Sequence, residues 1–254
     1  MPRLRRSGWI LGLLLLVPCA APAADLAVAA AANLVYALDA LNAEFGRLHP
    51  DVHVTKTTGA SGTLVTQISQ GAPYDIFLSA DLDFAQKLVK AGGADASSLK
   101  TFALGRLVIW TTREDIDVST VDGVIVNPAV HKLAIANPKT APYGRAAMET
   151  IAKLRLAPAA EPKLVQGENI SQTAEFVETG NADAGFVALS LVLAPKLKVR
   201  GHWKEVPAGL YSPLEQAAVI THRGAGNPAA QAYVDFLGSP AAGHILEKFG
   251  YHLP

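Results

Sequence analysis

The chain has 254 residues, half of them hydrophobic, with 22 basic and 22 acidic residues and one cysteine. Balanced charge excludes the basic footprint of a nucleic-acid or anionic-membrane binder, and one cysteine excludes a disulfide framework. Length allows one large hydrophobic core or two smaller ones.

At the N-terminus, Arg3, Arg5 and Arg6 precede an apolar run from Trp9 to Val17, and Ala21-Pro22-Ala23 supplies a small-x-small pattern. Residues 1–24 therefore read as a secretory signal cleaved near Ala23-Ala24, with an apolar core too short to span a bilayer. Cys19, after Leu16-Val17-Pro18, leaves lipid anchoring as an alternative, although Pro18 suits it poorly. Cleavage removes three bases and no acid, so the mature chain has three more acids than bases. It also removes the cysteine, and the exported protein relies on its core alone.

Beyond the signal the pattern is strand, small-residue loop, helix. Leu26 to Ala30 reads as a buried strand, and Leu34, Leu38, Leu41, Phe45 and Leu48 mark one face of a helix ending before Pro50. Val52 to Thr57 alternates as a strand, and Gly59-Ala60-Ser61-Gly62 leads to a helix around Leu64 to Ile68. Ile76 to Ser79 is extended and Phe84 to Val89 helical, closed by Gly92-Gly93. In the second half, Leu107 to Thr111 and Leu133 to Ala136 read as strands, Asn137 to Tyr143 as a loop, and Arg145 to Leu154 as a helix. Lys163 to Gln166 is extended, Ser171 to Glu178 helical, and Ala184 to Leu189 and Ala217 to Thr221 are strands. Helices around Ala229 to Leu237 and Ala241 to Phe249 end the chain. This alternation predicts an α/β fold with mostly parallel sheets and a site beyond the carboxyl ends of the strands.

Enzyme and metal signatures are weak. The seven histidines are scattered, and Pro50 breaks any helix that would align His49 with His53. Gly224-Ala225-Gly226 imitates a dinucleotide turn, but too little chain follows for a complete unit. Asn169-Ile170-Ser171 is a formal glycosylation sequon. Asp81 and Asp83 begin a helix, where acids commonly complement the dipole. A serine hydrolase remains a remote alternative, since Gly59-Ala60-Ser61-Gly62 lacks the final glycine of a nucleophile elbow.

Four loops open helices with small or hydroxyl-bearing residues: Ala32-Asn33, Ala60-Ser61-Gly62, Pro142-Tyr143-Gly144 and Asn169-Ile170. Helix N-termini expose unpaired N–H groups and hold anions; Asn33, Ser61 and Tyr143 can add side-chain donors. The plain alternative is that Asn33 and Ser61 are ordinary helix caps. No lysine or arginine lies within these stretches, although Arg145 follows the third. An anion held there would be held by neutral groups.

The residues around these loops also carry a resemblance. Ala30-Ala31-Ala32-Asn33-Leu34, the run Gly71-Ala72-Pro73-Tyr74-Asp75-Ile76-Phe77-Leu78-Ser79-Ala80-Asp81, Gly185-Phe186-Val187-Ala188, Tyr233 to Leu237 and Phe249-Gly250-Tyr251 are similar to the periplasmic molybdate-binding proteins of ABC transporters, from Leu26 to the C-terminus. The resemblance implies a two-lobed periplasmic-binding-protein-like α/β fold, each lobe a mostly parallel sheet flanked by helices. Residues 25–105 and 213–254 form one lobe and 106–212 the other, with hinges near Gly105-Arg106 and Tyr211-Ser212-Pro213.

It further implies a molybdate or tungstate oxyanion in the interlobe cleft, bound by Asn33, Ser61 and backbone N–H groups of Tyr143 and Ile170, with no direct metal-ion ligand, no cofactor and no catalysis. The implied protein is a periplasmic monomer whose partner is an inner-membrane ABC permease. Other tetrahedral oxyanions, sulfate, thiosulfate or phosphate, are the alternative ligands. Many members have a tyrosine where this chain has Ala188, and the Tyr143 hydroxyl is a candidate substitute.

Overall fold

A computed structural model describes residues 24–254; residues 1–23 of the expected signal, Cys19 among them, lie outside the described residues, and Ala24 opens the first strand. In chain order the elements are β1 (Ala24–Ala31), α1 (Val35–Leu48), β2 (Val52–Gly59), α2 (Ser61–Ser69), β3 (Ile76–Ser79), α3 (Leu82–Lys90), β4 (Lys100–Gly105), β5 (Leu107–Thr111), α4 (Val121–Val126), β6 (Leu133–Ala136), α5 (Pro142–Lys153), α6 (Ala157–Ala160), β7 (Leu164–Gly167), α7 (Ile170–Glu178), β8 (Ala184–Ala188), α8 (Leu189–Val192), β9 (His202–Glu205), β10 (Leu214–Ile220), α9 (Pro228–Leu237) and α10 (Pro240–Lys248). No helix among the described residues is long and apolar enough to cross a membrane.

The strands form two five-stranded sheets with matching order, β2-β1-β3-β10-β4 and β7-β6-β8-β5-β9. In each, three parallel strands come first. The fourth strand, β10 or β5, runs antiparallel to both of its neighbours. The sheets are thus mixed but mostly parallel, as expected, with four of the five strands in each running the same way. The cause is the connectivity: β5 and β10 are the strands that enter each sheet from the other one. The chain leaves the first sheet between Gly105 and Leu107 and returns between Glu205 and Leu214.

Helices cover both faces of each sheet, so central strands read as runs of Ala, Val, Ile and Leu with no polar alternation. β5, β6 and β8 are buried at every position. Helix α1 presents Leu38, Leu41 and Phe45 inward, each fully buried, and Phe45 meets Tyr233 and Phe236 of α9 at ring separations of 4.8 and 5.5 Å. Leu48, expected on the same face, is exposed at the end of the last turn. β4 and β9, which sequence periodicity did not suggest, are edge strands with polar, partly exposed residues.

The hydrophobic core built on the second sheet does not stop at that sheet. It continues to Ala31, Ala32, Ala60 and Ala80, at or just after the ends of β1, β2 and β3. Small side chains there let the helix starts of the two halves approach each other, and a site forms in the seam.

Candidate functional site

The four loops meet. Asn33, Ser61, Tyr143 and Ile170 line one small cavity together with Ala31, Ala32, Gly59, Ala60, Ala80, Ala141 and Pro142. All four are at least 97% buried. No charged residue lines the cavity.

Three lining residues occupy first turns. Ser61 is the first residue of α2, Tyr143 the second of α5 and Ile170 the first of α7. First-turn N–H groups have no intrahelical acceptor. The caps leave these groups free: Ala60 and Ala141 cap nothing with their side chains, while Asn169 accepts from Ser171 and Gln172 and not from Ile170. The Asn137–Tyr143 loop is therefore shorter than the sequence suggested, because Pro142 already opens the helix with its pre-set φ.

Neither Ser61 nor Asn33 is a cap. Ser61 lies one residue inside α2, and its Oγ accepts from the Ala80 N–H at 3.1 Å. Its own proton is left for a ligand. Asn33 differs from expectation in another way. Its amide Nδ2 donates to Gln216 Oε1 at 2.7 Å and to Tyr251 Oη at 2.8 Å, so the side-chain donor is already used. What remains unpartnered is its oxygen, Oδ1.

Among the described residues, the other buried side-chain polar atom without a partner is Tyr143 Oη. A buried polar group is normally paired, and an orphan at a cavity is a ligand-facing candidate. Burial foremost raises the Tyr143 phenol well above the usual tyrosine range, so it stays protonated and able to donate. The ring fits because residue 105 is glycine: a Cβ there would lie 2.2 Å from Tyr143 Oη and 2.9 Å from Gln216 Nε2. A second glycine, Gly144, is needed for α5 itself, since a Cβ would stand 2.1 Å from the Ala136 carbonyl oxygen of β6.

Ala188 is fully buried, ends β8 opposite Leu107 and is not among the lining residues. Ser190, two positions on, donates to the Asn33 carbonyl at 2.8 Å. Glu168, the one acid next to the loops in sequence, is exposed and outside the cavity.

Arg145 is the nearest cation in sequence, and it is neutralised. It contacts Asp81 at 2.9 Å, Asp83 at 3.4 Å and Glu149 at 3.7 Å. Asp81 is buried and caps α3 by accepting from the Phe84 N–H. That burial holds its carboxyl above the ordinary range, against the opposing pull of the Phe84 N–H and Arg145. The dipole reading of Asp81 and Asp83 is half of the account; they also tie α3 to α5 across the seam. Gly62 N–H to Thr140 O and Ser171 Oγ to Ala32 O, both 2.9 Å, tie it at two further points.

Arg145→Ala is expected to lower the melting temperature of the ligand-loaded protein by about 2–4 °C more than that of the free protein, for a cross-seam contribution of about 1 kcal/mol. Thermal melts with and without saturating ligand check this; equal shifts in both would mean the ion pair does not favour the closed form.

Sequence reasoning missed Gln216, Tyr251, Ser190 and Thr140. Tyr251 stood in the resemblance only as part of a C-terminal pattern, and Gln216 left a trace as the lone amide in the strand Leu214-Glu215-Gln216-Ala217-Ala218-Val219-Ile220.

Residues 26–252 match the family model described as bacterial extracellular solute-binding protein. The chain is 43% identical to the molybdate-binding protein ModA of Azotobacter vinelandii, over 94% of both chains. It is 42% identical to ModA of Rhodobacter capsulatus, over 98% of this chain and 96% of that one. The solved periplasmic molybdate-binding protein of Azotobacter vinelandii superposes with a TM-score of 0.84 at 33% identity, covering 90% of this chain and 99% of that one. The chain belongs to the bacterial extracellular solute-binding protein family.

Proposed function

We propose that this protein captures molybdate, and tungstate with it, in the periplasm and delivers it to an inner-membrane ABC permease. Asn33, Ser61, Tyr143 and Ile170 form the ligand shell. The lobes are 25–105 with 213–254, and 106–212, hinged at the two crossings, and the protein acts as a monomer without catalysis. The observation that carries this reading is the buried cavity in which helix starts from both halves meet without a charged side chain. The relatives' names supply the ligand. About six hydrogen bonds to a charged ligand at ~1.5–3 kcal/mol each, less ordering costs, leave a net of about 8–12 kcal/mol, or micromolar to nanomolar binding.

Molybdate, tungstate and sulfate are all tetrahedral dianions, so charge does not separate them. A donor ring set for the longer metal–oxygen bond leaves sulfate short of some N–H groups, and each unmade contact to a buried donor costs ~1–3 kcal/mol. Titration calorimetry is expected to give molybdate and tungstate affinities at least about 100-fold above sulfate. Equal affinities for sulfate and molybdate would sink the assignment.

One observation favours a second reading. Hydrogen phosphate needs an acceptor for its proton, and Asn33 Oδ1 is an unpartnered acceptor in the cavity wall. Phosphate bound as tightly as molybdate in the same calorimetric series would move the assignment to phosphate. A hydrolase finds no support: the lining offers no histidine, lysine or carboxylate to activate Ser61.

A further inference from the structure

Gln216 lies outside the cavity lining, yet it hydrogen-bonds Asn33 and the Ala80 carbonyl on the first-sheet side of the cavity. The residue is fully buried on β10, where the register with β4 shifts between Gln216 and Ala217. Such a bulge re-aims a side chain, and here the amide turns toward the seam. Nε2 donates to the Ala80 carbonyl at 3.0 Å and to the Leu214 carbonyl at 2.9 Å. Two carbonyl acceptors fix which end of the amide is nitrogen, because a carbonyl cannot donate. Oε1 must then accept, and it does so from Asn33 Nδ2 at 2.7 Å.

Two consequences reach the cavity. Asn33 is held with its nitrogen toward Gln216 and Tyr251, so its oxygen is the unpartnered end. Residue Ala80 is held from both sides: its carbonyl accepts from Gln216, and its N–H, in the preceding peptide unit, meets Ser61 Oγ at 3.1 Å, which turns the serine proton away from Ala80. Gln216 Nε2 and Tyr143 Oη also flank the same point above Gly105. One amide on the strand that returns from the second sheet thus connects the Asn33 loop, the Ser61 loop and the crossing.

We propose that Gln216 is the positioning residue of the oxyanion site: it sets the donor and acceptor pattern of Asn33 and Ser61 without touching the ligand. The proposal rests on the oxyanion reading above and adds to it a residue that no ligand-contact argument selects. The titratable groups facing Gln216 are the Tyr143 and Tyr251 phenols, both held protonated by burial. Asp81, one residue beyond Ala80, is engaged with Phe84 and Arg145. A pH response present in the variant and absent from wild type under the same conditions therefore reports on the substituted side chain.

The test uses Q216E and Q216M in the full mature chain, with molybdate titrated by calorimetry from pH 6 to 8.5. Glutamate keeps the shape but replaces two donors by acceptors and adds a buried negative charge facing a dianion. Its own titration is moved up into this range by burial. Q216E is expected to bind at least about 100-fold more weakly than wild type at pH 8.5 and to recover part of that loss at pH 6. Q216M, which keeps length and loses both hydrogen-bonding ends, is expected to bind about tenfold more weakly with no pH trend. Wild type stays flat.

Ligand-free melting curves of all three separate a folding defect from a site defect; should Q216E not fold, Q216M carries the decision. Wild-type-like affinity in Q216M, or a Q216E loss that ignores pH, overturns the proposal. Absence of oxyanion binding by wild type itself would instead overturn the function on which the proposal stands.

Discussion

Replacing Gly105 by alanine is expected to weaken molybdate binding about 10- to 100-fold, and Tyr143→Phe in the same chain is expected to restore at least half of the loss in free energy. The new methyl would stand 2.2 Å from the Tyr143 hydroxyl and 3.2 Å from its ring carbon Cζ. Without the hydroxyl the nearest ring atom is at a tight but tolerable distance, and Gln216 Nε2 at 2.9 Å is the contact that remains too close and keeps the rescue partial. The phenol has little freedom to retreat, because it is 99% buried on the first turn of α5, and α5 is held against the Ala136 carbonyl at Gly144.

Overpacking of this kind costs roughly 1–3 kcal/mol. Tyr143 and Gly105 lie on opposite sides of the seam, so the strain falls mainly on the form in which they meet and enters the dissociation constant more than the stability of the open protein. A double-mutant cycle over G105A and Y143F, read by calorimetry, measures the coupling. Additive losses would mean that the two residues do not meet when ligand binds.

Ser61→Ala is the second large effect, and it acts on two observables together. The Oγ accepts from the buried Ala80 N–H, and its removal leaves that donor unpaired at a cost of ~1–3 kcal/mol, a fall of roughly 2–12 °C in the melting temperature of the free protein. The same oxygen carries the proton offered to the ligand, and loss of a hydrogen bond to a charged group costs a further ~1.5–3 kcal/mol, about 10- to 150-fold in affinity. A helix cap would give only the first effect, and Ser61 is not placed as a cap. Calorimetry and ligand-free melts on one preparation decide: unchanged affinity with a lowered melting point removes Ser61 from the shell.

Much of this was legible in sequence for a local reason. Strands buried on both faces announce themselves as short apolar runs, and β1, β3, β5, β6 and β8 all did. Helix starts are announced by small and capping residues, so each of the four loops stood out separately. Edge strands give a weaker signal: β2 and β7 were read, but β9 is His-Trp-Lys-Glu, with no apolar pattern to detect. Strand direction depends on where the chain crosses between sheets, which periodicity does not encode, and the antiparallel settings of β5 and β10 were missed for that reason.

The site was legible in its backbone and not in its side chains. Which end of the Asn33 amide faces the cavity is decided by Gln216, 183 residues away, and Tyr251, 218 residues away. An isolated asparagine after a strand reads simply as a donor. The Tyr143 hydroxyl required the glycine at 105 to find room, and only the three-dimensional contact joins those two positions.

A cavity without a charged wall also bears on how cargo leaves. An ion held by lysine or arginine must be pulled from a counter-ion that follows it into solvent. Here nothing of the sort exists. The wall replaces a hydration shell with fixed dipoles, and the exchange favours binding only while water is kept out. A widening of the seam just sufficient to admit a few water molecules returns the dianion to the medium that solvates it best. On the proposed function, retention is a matter of dryness, and discharge calls for no chemical trigger: the proposed membrane partner has only to wet the cleft.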